Sequence, residues 1–165
     1  MKIREATFDD IVSINDIYNQ SIPSKISTAD ILPVSISKRK KWFKDHVKEN
    51  YPVFVAEING EVIGWIALSP YRPGRLALKQ TAEVSYFIRK NYQKTGIGTK
   101  LMNLIIEKSP EYGFKNLFAI LLERNIASIK LLEKMGFGKW AFLPRVANFN
   151  GIECGQFYYG KRICD

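Results

Sequence analysis

The stretch Gln93-Lys94-Thr95-Gly96-Ile97-Gly98-Thr99 joins two runs of different period, and that switch constrains the fold more than any other feature of the chain. Ahead of it, Val84-Ser85-Tyr86-Phe87-Ile88 is β-branched and aromatic, as a buried strand should be. Behind it, Leu101, Leu104 and Ile105 recur at helical spacing, with Lys100, Asn103 and Glu107 on the other side. A strand that passes through glycines into a helix leaves backbone N–H groups unpaired at the helix start, where the dipole favours negative charge. Gly96 and Gly98 allow positive φ or the close approach of a ligand. The pattern is neither a P-loop nor the G-x-G-x-x-G dinucleotide fingerprint, because Gly98 is followed by Thr99, Lys100 and Leu101. On these residues alone, phosphate binding and a plain strand-to-helix turn stand about even.

A chain of 165 residues is long enough for one real hydrophobic core. No repeat or linker composition divides it, so residues 1–165 read as a single domain. A short strand at Lys2–Ala6 leads to a capping box, Thr7 with Asp10, and a helix carrying Ile11, Ile14, Ile17 and Tyr18. A polar loop spans 21–35, and a second helix runs from about Ser37 to Glu49. Strands at 53–58 and 61–69 flank Asn59-Gly60, a strong hairpin signal. Two prolines and a glycine make 70–75 irregular. A strand at 81–88, the glycine loop and a helix to about Ser109 come next. Further elements are a strand at 116–122, a helix at 127–135, and strands at 137–142 and 156–161. This order predicts a mixed α/β sheet with helices on both faces.

The net charge of +9, from 25 Lys and Arg against 16 Asp and Glu, points to an anionic partner: nucleic acid, an acidic lipid surface or a phosphorylated cofactor. The one dense run, Lys38-Arg39-Lys40-Lys41, precedes Trp42, Phe43 and Val47 and reads as the solvated face of a helix. The aromatics fall mainly at core positions and no nucleic-acid motif occurs, so no nucleic-acid partner is expected. No apolar run reaches the roughly 20 residues that span a membrane, and the charged N-terminus is unlike a signal peptide. Two cysteines, Cys154 and Cys164, and a single His46 lack metal-ligand spacing. We therefore expect no metal, no membrane association and a cytoplasmic setting.

A second block, Asn125-Ile126-Ala127-Ser128-Ile129-Lys130-Leu131-Leu132-Glu133-Lys134-Met135-Gly136-Phe137, is by itself a capped helix with a glycine stop. Paired with Gln93-x-x-Gly96-x-Gly98, it resembles the GNAT superfamily of N-acetyltransferases. Further matches are Ile3-Arg4-x-Ala6-x-x-x-Asp10, Ile17-Tyr18-Asn19, Tyr51-Pro52-Val53-x-Val55-Ala56-Glu57, Pro70-Tyr71-Arg72-Pro73 and Thr81-Ala82-Glu83. These are similar to the phosphinothricin and methionine sulfoximine acetyltransferase subgroup.

The resemblance implies a mostly antiparallel sheet of about six to seven strands flanked by about four helices. It also implies acetyl-CoA as co-substrate, direct attack by an acceptor amine in a ternary complex, and a family-level homodimer. Glu83 falls at the subgroup's general base; the alternative is a strand-edge carboxylate facing solvent. Tyr86, Phe87 and Ile88 match the strand whose backbone pairs with the pantetheine arm. Lys94, Thr95, Gly96, Ile97, Gly98 and Thr99 match the pyrophosphate loop, and Asn125 matches a cofactor contact, though helix capping also explains it. Arg72, Pro73, Glu83, Val84 and Ser85 match substrate-side positions. Arg72 or Arg75 could hold a substrate carboxylate, or either could be a solvated loop arginine.

Three departures stand out. Leu132 replaces the Tyr or His that would protonate the departing thiolate. Ser27-Thr28-Ala29 falls where a large aromatic usually lines the pocket. Leu78 replaces another aromatic, beside a one-residue insertion at Gly74. The expected activity is acetylation of a small amino-acid-like amine. The alternatives are a protein N-terminal, lysine or polyamine acetyltransferase, or a non-catalytic acyl-CoA-binding regulatory module.

Overall fold

A computed structural model describes residues 1–165. In chain order the elements are β1 (Lys2–Glu5), α1 (Ile11–Asn19), α2 (Ile36–Lys48), β2 (Val53–Ile58), β3 (Glu61–Pro70), β4 (Thr81–Ile88), α3 (Ile97–Lys108), β5 (Asn116–Leu122), α4 (Ile126–Lys134), β6 (Gly138–Phe149) and β7 (Ile152–Arg162). The seven strands form one sheet in the order β1-β2-β3-β4-β5-β7-β6. Every neighbouring pair is antiparallel except β4 and β5. The expected α/β architecture is therefore present, with helices on both faces.

The two faces of the sheet hold separate cores. On one side Leu101, Met102 and Ile105 of α3 pack on Ile63, Ile66, Leu68, Ala82 and Val84. On the other, Ile11, Ile14 and Ile17 of α1 and Phe43 of α2 cover Val53, Val55 and Trp65. Full burial of each such aliphatic side chain contributes about 1.5–3 kcal/mol, so these faces fix where the helices sit. The start of α1 is pinned as the capping-box pattern predicts: the Thr7 N–H donates to Asp10 Oδ2 at 2.7 Å. Arg4 then clamps Asp10 with both terminal nitrogens and reaches Glu57 of β2 through Nε. That clamp ties α1 to the β1–β2 edge.

The Asn59-Gly60 turn forms as read, with both residues at positive φ. The C-terminal strands do not match the expectation. They run to 138–149 and 152–162, joined by a second tight turn at Asn150-Gly151, again with both φ values positive. The Asn-Gly signal was present there too. The solvated-face reading of Lys38–Lys41 also needs correction: Lys38, Lys40 and Lys41 are exposed, but Arg39 is only 6% exposed. Arg39 lies on the same side of α2 as Trp42, Phe43 and His46, which follow at the spacing of a buried helical face.

Candidate active site

The parallel pair β4–β5 is joined only at Thr81, Ala82 and Glu83, which sit opposite Asn116, Leu117 and Phe118. Beyond Glu83 the two strands splay apart. Residues 84–88 keep their pairing to β3 but have no strand on the β5 side. Unpaired strand backbone facing a cleft is a ready partner for an extended, amide-bearing ligand. Two cavities open from this split.

The first, about 340 Å³, lies between β4, β5, the glycine loop and α4. Gly96 caps α3 at φ 86°, a conformation open to glycine, and Lys94 also has positive φ. The turn is steadied by Thr95, whose hydroxyl donates to the Tyr92 carbonyl at 2.6 Å. No backbone N–H from Lys94 to Thr99 donates to a protein acceptor; the first bond of α3 runs from Lys100 N–H to the Gly96 carbonyl. Free N–H groups at a helix start are the arrangement that can receive an anion. At Gly98 an added Cβ would stand 3.1 Å from Leu131 Cδ2 and 3.3 Å from Ile88 Cδ1, so a side chain there would crowd the turn. Asn125 caps α4 by accepting the Ser128 N–H at 3.2 Å, and it also lines the cavity. Tyr86 points into this side, and its hydroxyl is buried without a hydrogen-bond partner. Burial pushes the Tyr86 hydroxyl up to about 12; the Ser128 hydroxyl lies near enough to oppose this but does not reach hydrogen-bond geometry.

The second cavity, about 440 Å³, lies on the opposite face, between α1, the 27–34 loop, α2 and β4. Strand alternation sends Glu83, Ser85 and Phe87 toward it. Tyr18, Trp42 and Trp65 form an aromatic wall, while Ser27, Thr28 and Ala29 form a small-residue wall. Tyr18 donates to Asp30 Oδ2 at 2.6 Å and shares a 2.7 Å contact with the Thr28 hydroxyl. The Glu83 carboxylate makes no hydrogen bond or ion pair with the protein, and burial pushes its pKa above the ordinary range. His46 braces Ser69 on the cavity wall at 3.0 Å through Nε2, and burial lowers its pKa. Ser27, Ser85, Phe87 and Ile120 line both cavities, so the two spaces meet beside Glu83.

Most of the residues singled out in the sequence converge here. Tyr86, Phe87, Ile88, Lys94, Gly96, Gly98, Thr99 and Asn125 all line the first cavity. Val84, expected on the substrate side, packs in the α3 core and lines the first cavity instead. Leu132 is fully buried in its wall and has no ionisable proton to give. Arg72, Pro73 and Arg75 occupy the exposed β3–β4 connection and line neither cavity. The groups that sequence reasoning missed are Arg39, Tyr18, Asp30, Trp42 and Trp65. The helical spacings from Arg39 to His46 and from Ile14 to Tyr18 gave the local signals, and both mark a buried face, not a site.

Comparisons with known proteins agree with this geometry. Residues 13–137 match the Acetyltransferase (GNAT) family. A Bacillus subtilis (strain 168) protein provisionally named a phosphinothricin acetyltransferase is 37% identical over 164 residues, covering 99% of both chains. The L-methionine sulfoximine/L-methionine sulfone acetyltransferase of Pseudomonas aeruginosa is 30% identical over 87% of this chain and 84% of its own. A Salmonella typhimurium protein provisionally described as an acetyltransferase was solved with its cofactor acetyl-CoA. It superimposes with a TM-score of 0.95 at 27% identity, over 100% of this chain and 95% of the other. With free N–H groups at a helix start and a split β4–β5 pair in the matched region, the chain belongs to the GNAT acetyltransferase family.

Proposed function

We propose that this acetyltransferase moves the acetyl group of acetyl-CoA to the primary amine of a small, amino-acid-like acceptor, by direct attack with both reactants bound. The meeting of the two cavities at Ser85 and Phe87, beside Glu83, carries this reading. The first cavity fits acetyl-CoA: free N–H groups from Lys94 to Thr99 for the pyrophosphate, and unpaired β4 backbone for the pantetheine amides. When bound, the cofactor supplies a thioester carbonyl at the junction.

Glu83 takes the ammonium proton of the acceptor, directly or through one water, freeing the nitrogen lone pair. A carboxylate without a protein partner, in a site that raises its pKa, suits a general base working near neutral pH. Holding both reactants in adjoining cavities replaces a bimolecular encounter with an oriented one. Leu132 cannot protonate the departing sulfur, so solvent or a nearby hydroxyl does so.

The acceptor class follows from the second cavity and from what the relatives' names say they acetylate. Its aromatic walls suit a small, partly apolar body. Lys38 and Arg39 offset Asp30 and Glu83 in this space, so it lacks the acidic excess that suits a polyamine. Small residues at 27–29 leave more room than an aromatic would, so the preferred acceptor is bulkier than phosphinothricin. The free Cys154 and Cys164 suit a reducing cytoplasm. The exposed apolar residues Trp140, Phe142 and Val146 on edge strand β6 are assigned to a second copy of the chain. Sedimentation as a monomer at micromolar concentration would remove that assignment.

The test is acetyl-CoA-dependent CoA release across free amino acids, amino-acid sulfones, peptides and spermidine. A free amino acid or sulfone should give the highest kcat/KM. Preference for peptides or spermidine would overturn the acceptor class.

A further inference from the structure

The second cavity contains a charged group with no protein partner. Arg39 is buried, yet only its Nε is engaged, donating to Asn15 Oδ1 at 3.3 Å. It forms no ion pair, and its terminal nitrogens donate to no protein acceptor. Those nitrogens are not sealed in, since the Tyr86 hydroxyl is the one fully enclosed side-chain polar atom left without a partner. They therefore open onto the cavity that Arg39 lines.

The guanidinium is held in place by rings. Its central carbon lies 4.6 Å from the Tyr18 ring centroid, 4.9 Å from Trp42 and 5.7 Å from Trp65. Stacking fixes the plane of the group and excludes water, which strengthens any anion contact made at its free edge. A buried charge without a partner is destabilising, and proteins otherwise pair or neutralise it. Burial lowers the Arg39 pKa for the same reason, although a guanidinium remains charged. Asp30 lies close enough to influence it, but not at ion-pair distance, and already accepts from Tyr18. Across the cavity, Ser27, Thr28 and Ala29 are too small to close the approach.

We propose that Arg39 holds the acceptor's carboxylate through its two terminal nitrogens, while the acceptor's amine lies toward Glu83. The inference rests on the acetyltransferase reading and names the ligand chemistry of its acceptor site: an amine and a carboxylate on one small molecule. A planar carboxylate matches the guanidinium fork and supplies two charge-assisted hydrogen bonds. Exposed Lys38 at the same cavity adds attraction at longer range.

The test starts from the ligand. L-methionine sulfone, L-leucine and L-phenylalanine, each with its carboxamide, are titrated calorimetrically into the protein saturated with CoA. At least one acid should bind tenfold or more tighter than its carboxamide. Arg39→Met should erase that difference, and Arg39→Lys should restore part of it. Retained binding of CoA by each variant shows that the fold is intact. Equal binding of acids and carboxamides, binding of none of the acids, or discrimination that survives in Arg39→Met would overturn the inference. Acids that bind with this preference but are not acetylated would instead sink the proposed reaction and leave the Arg39 assignment standing.

Discussion

The two cavities that meet beside Glu83 are built by opposite means. The first, proposed for the cofactor, uses backbone: unpaired N–H groups of a glycine turn and the free edge of a splayed strand, from two nearly contiguous segments. The second, proposed for the acceptor, uses side chains, brought together from α1, the 27–34 loop, α2, β3 and β4. Apart from Glu83 at their junction, each holds one polar side chain that the protein itself does not satisfy, Tyr86 on the first side and the Arg39 fork on the second. A backbone site survives most substitutions around it, because its donors do not depend on residue type. A side-chain site changes its ligand with one or two replacements. The family can therefore keep one cofactor while its acceptors differ.

The largest expected effect comes from the residue at the boundary. Glu83→Gln should lower kcat/KM by about 10²–10⁴-fold, the usual worth of a positioned base. Acetyl-CoA affinity, read by calorimetry, should stay within about twofold because the backbone N–H groups are untouched. In the wild type, kcat/KM should fall as pH drops through the raised Glu83 pKa, giving an acid limb above the ordinary carboxylate range. The variant should lack that limb. A matching loss of acetyl-CoA affinity would show that the two sites are not separable.

Next in size is a change confined to the acceptor wall. Ala29→Phe should raise KM for the bulkiest good acceptor by about 10–100-fold, the span of a few kcal/mol of pocket contact. A smaller acceptor should be affected less, and KM for acetyl-CoA should be unchanged. Uniform loss across acceptors would mean that residues 27–29 do not shape the pocket.

The same division explains what could be read from the sequence. The strand, glycine turn and helix of the cofactor side are contiguous, so period and turn chemistry revealed them together. The Asn59-Gly60 hairpin was legible for the same reason. Asn150-Gly151 carries the same signal but follows Pro144 and Arg145, which interrupt the apolar pattern and hid half of a long strand. Arg39 was obscured by its neighbours: within Lys38–Lys41, composition suggests a wet face. The apolar spacing through Trp42, Phe43 and His46 shows instead that one of the four turns inward. Resemblance points to Arg72 and guanidinium chemistry adds Arg75, and no local pattern distinguishes an arginine that lines a cavity from one on an exposed turn. Side-chain sites are assembled by tertiary packing, which one-dimensional periodicity records only as a face.

Tyr86→Phe probes the unsatisfied hydroxyl of the cofactor side. Removing a buried hydroxyl that lacks a partner relieves about 1–3 kcal/mol. Without ligand, Tm should therefore rise, by about 2–4 °C for each kcal/mol in a chain of this size. If bound cofactor satisfies that hydroxyl, the variant should also bind acetyl-CoA several-fold more weakly. A fall in Tm would mean that the hydroxyl is already hydrogen-bonded in the free protein, and the cofactor side would lose its counterpart to Arg39.

The smallest effect concerns what the boundary residue does to stability. Burial raises the folded-state pKa of Glu83 above the ordinary 4.5. Well below 4.5 the group is protonated in both folded and unfolded chains and contributes nothing. As pH rises past 4.5 the unfolded chain loses its proton first, so native stability declines until the folded pKa is passed, and the full penalty remains above it. Glutamine has no such titration. The Tm of Glu83→Gln minus that of the wild type should thus be near zero at pH 4 and positive at pH 8, with acetyl-CoA absent. The charge on Arg39 does not titrate over this range, so any stability change from Arg39→Met should be nearly flat with pH. A gap for Glu83→Gln that is equally flat would reflect packing of the amide alone, and the carboxylate would then not be the desolvated base that the junction of the two cavities requires.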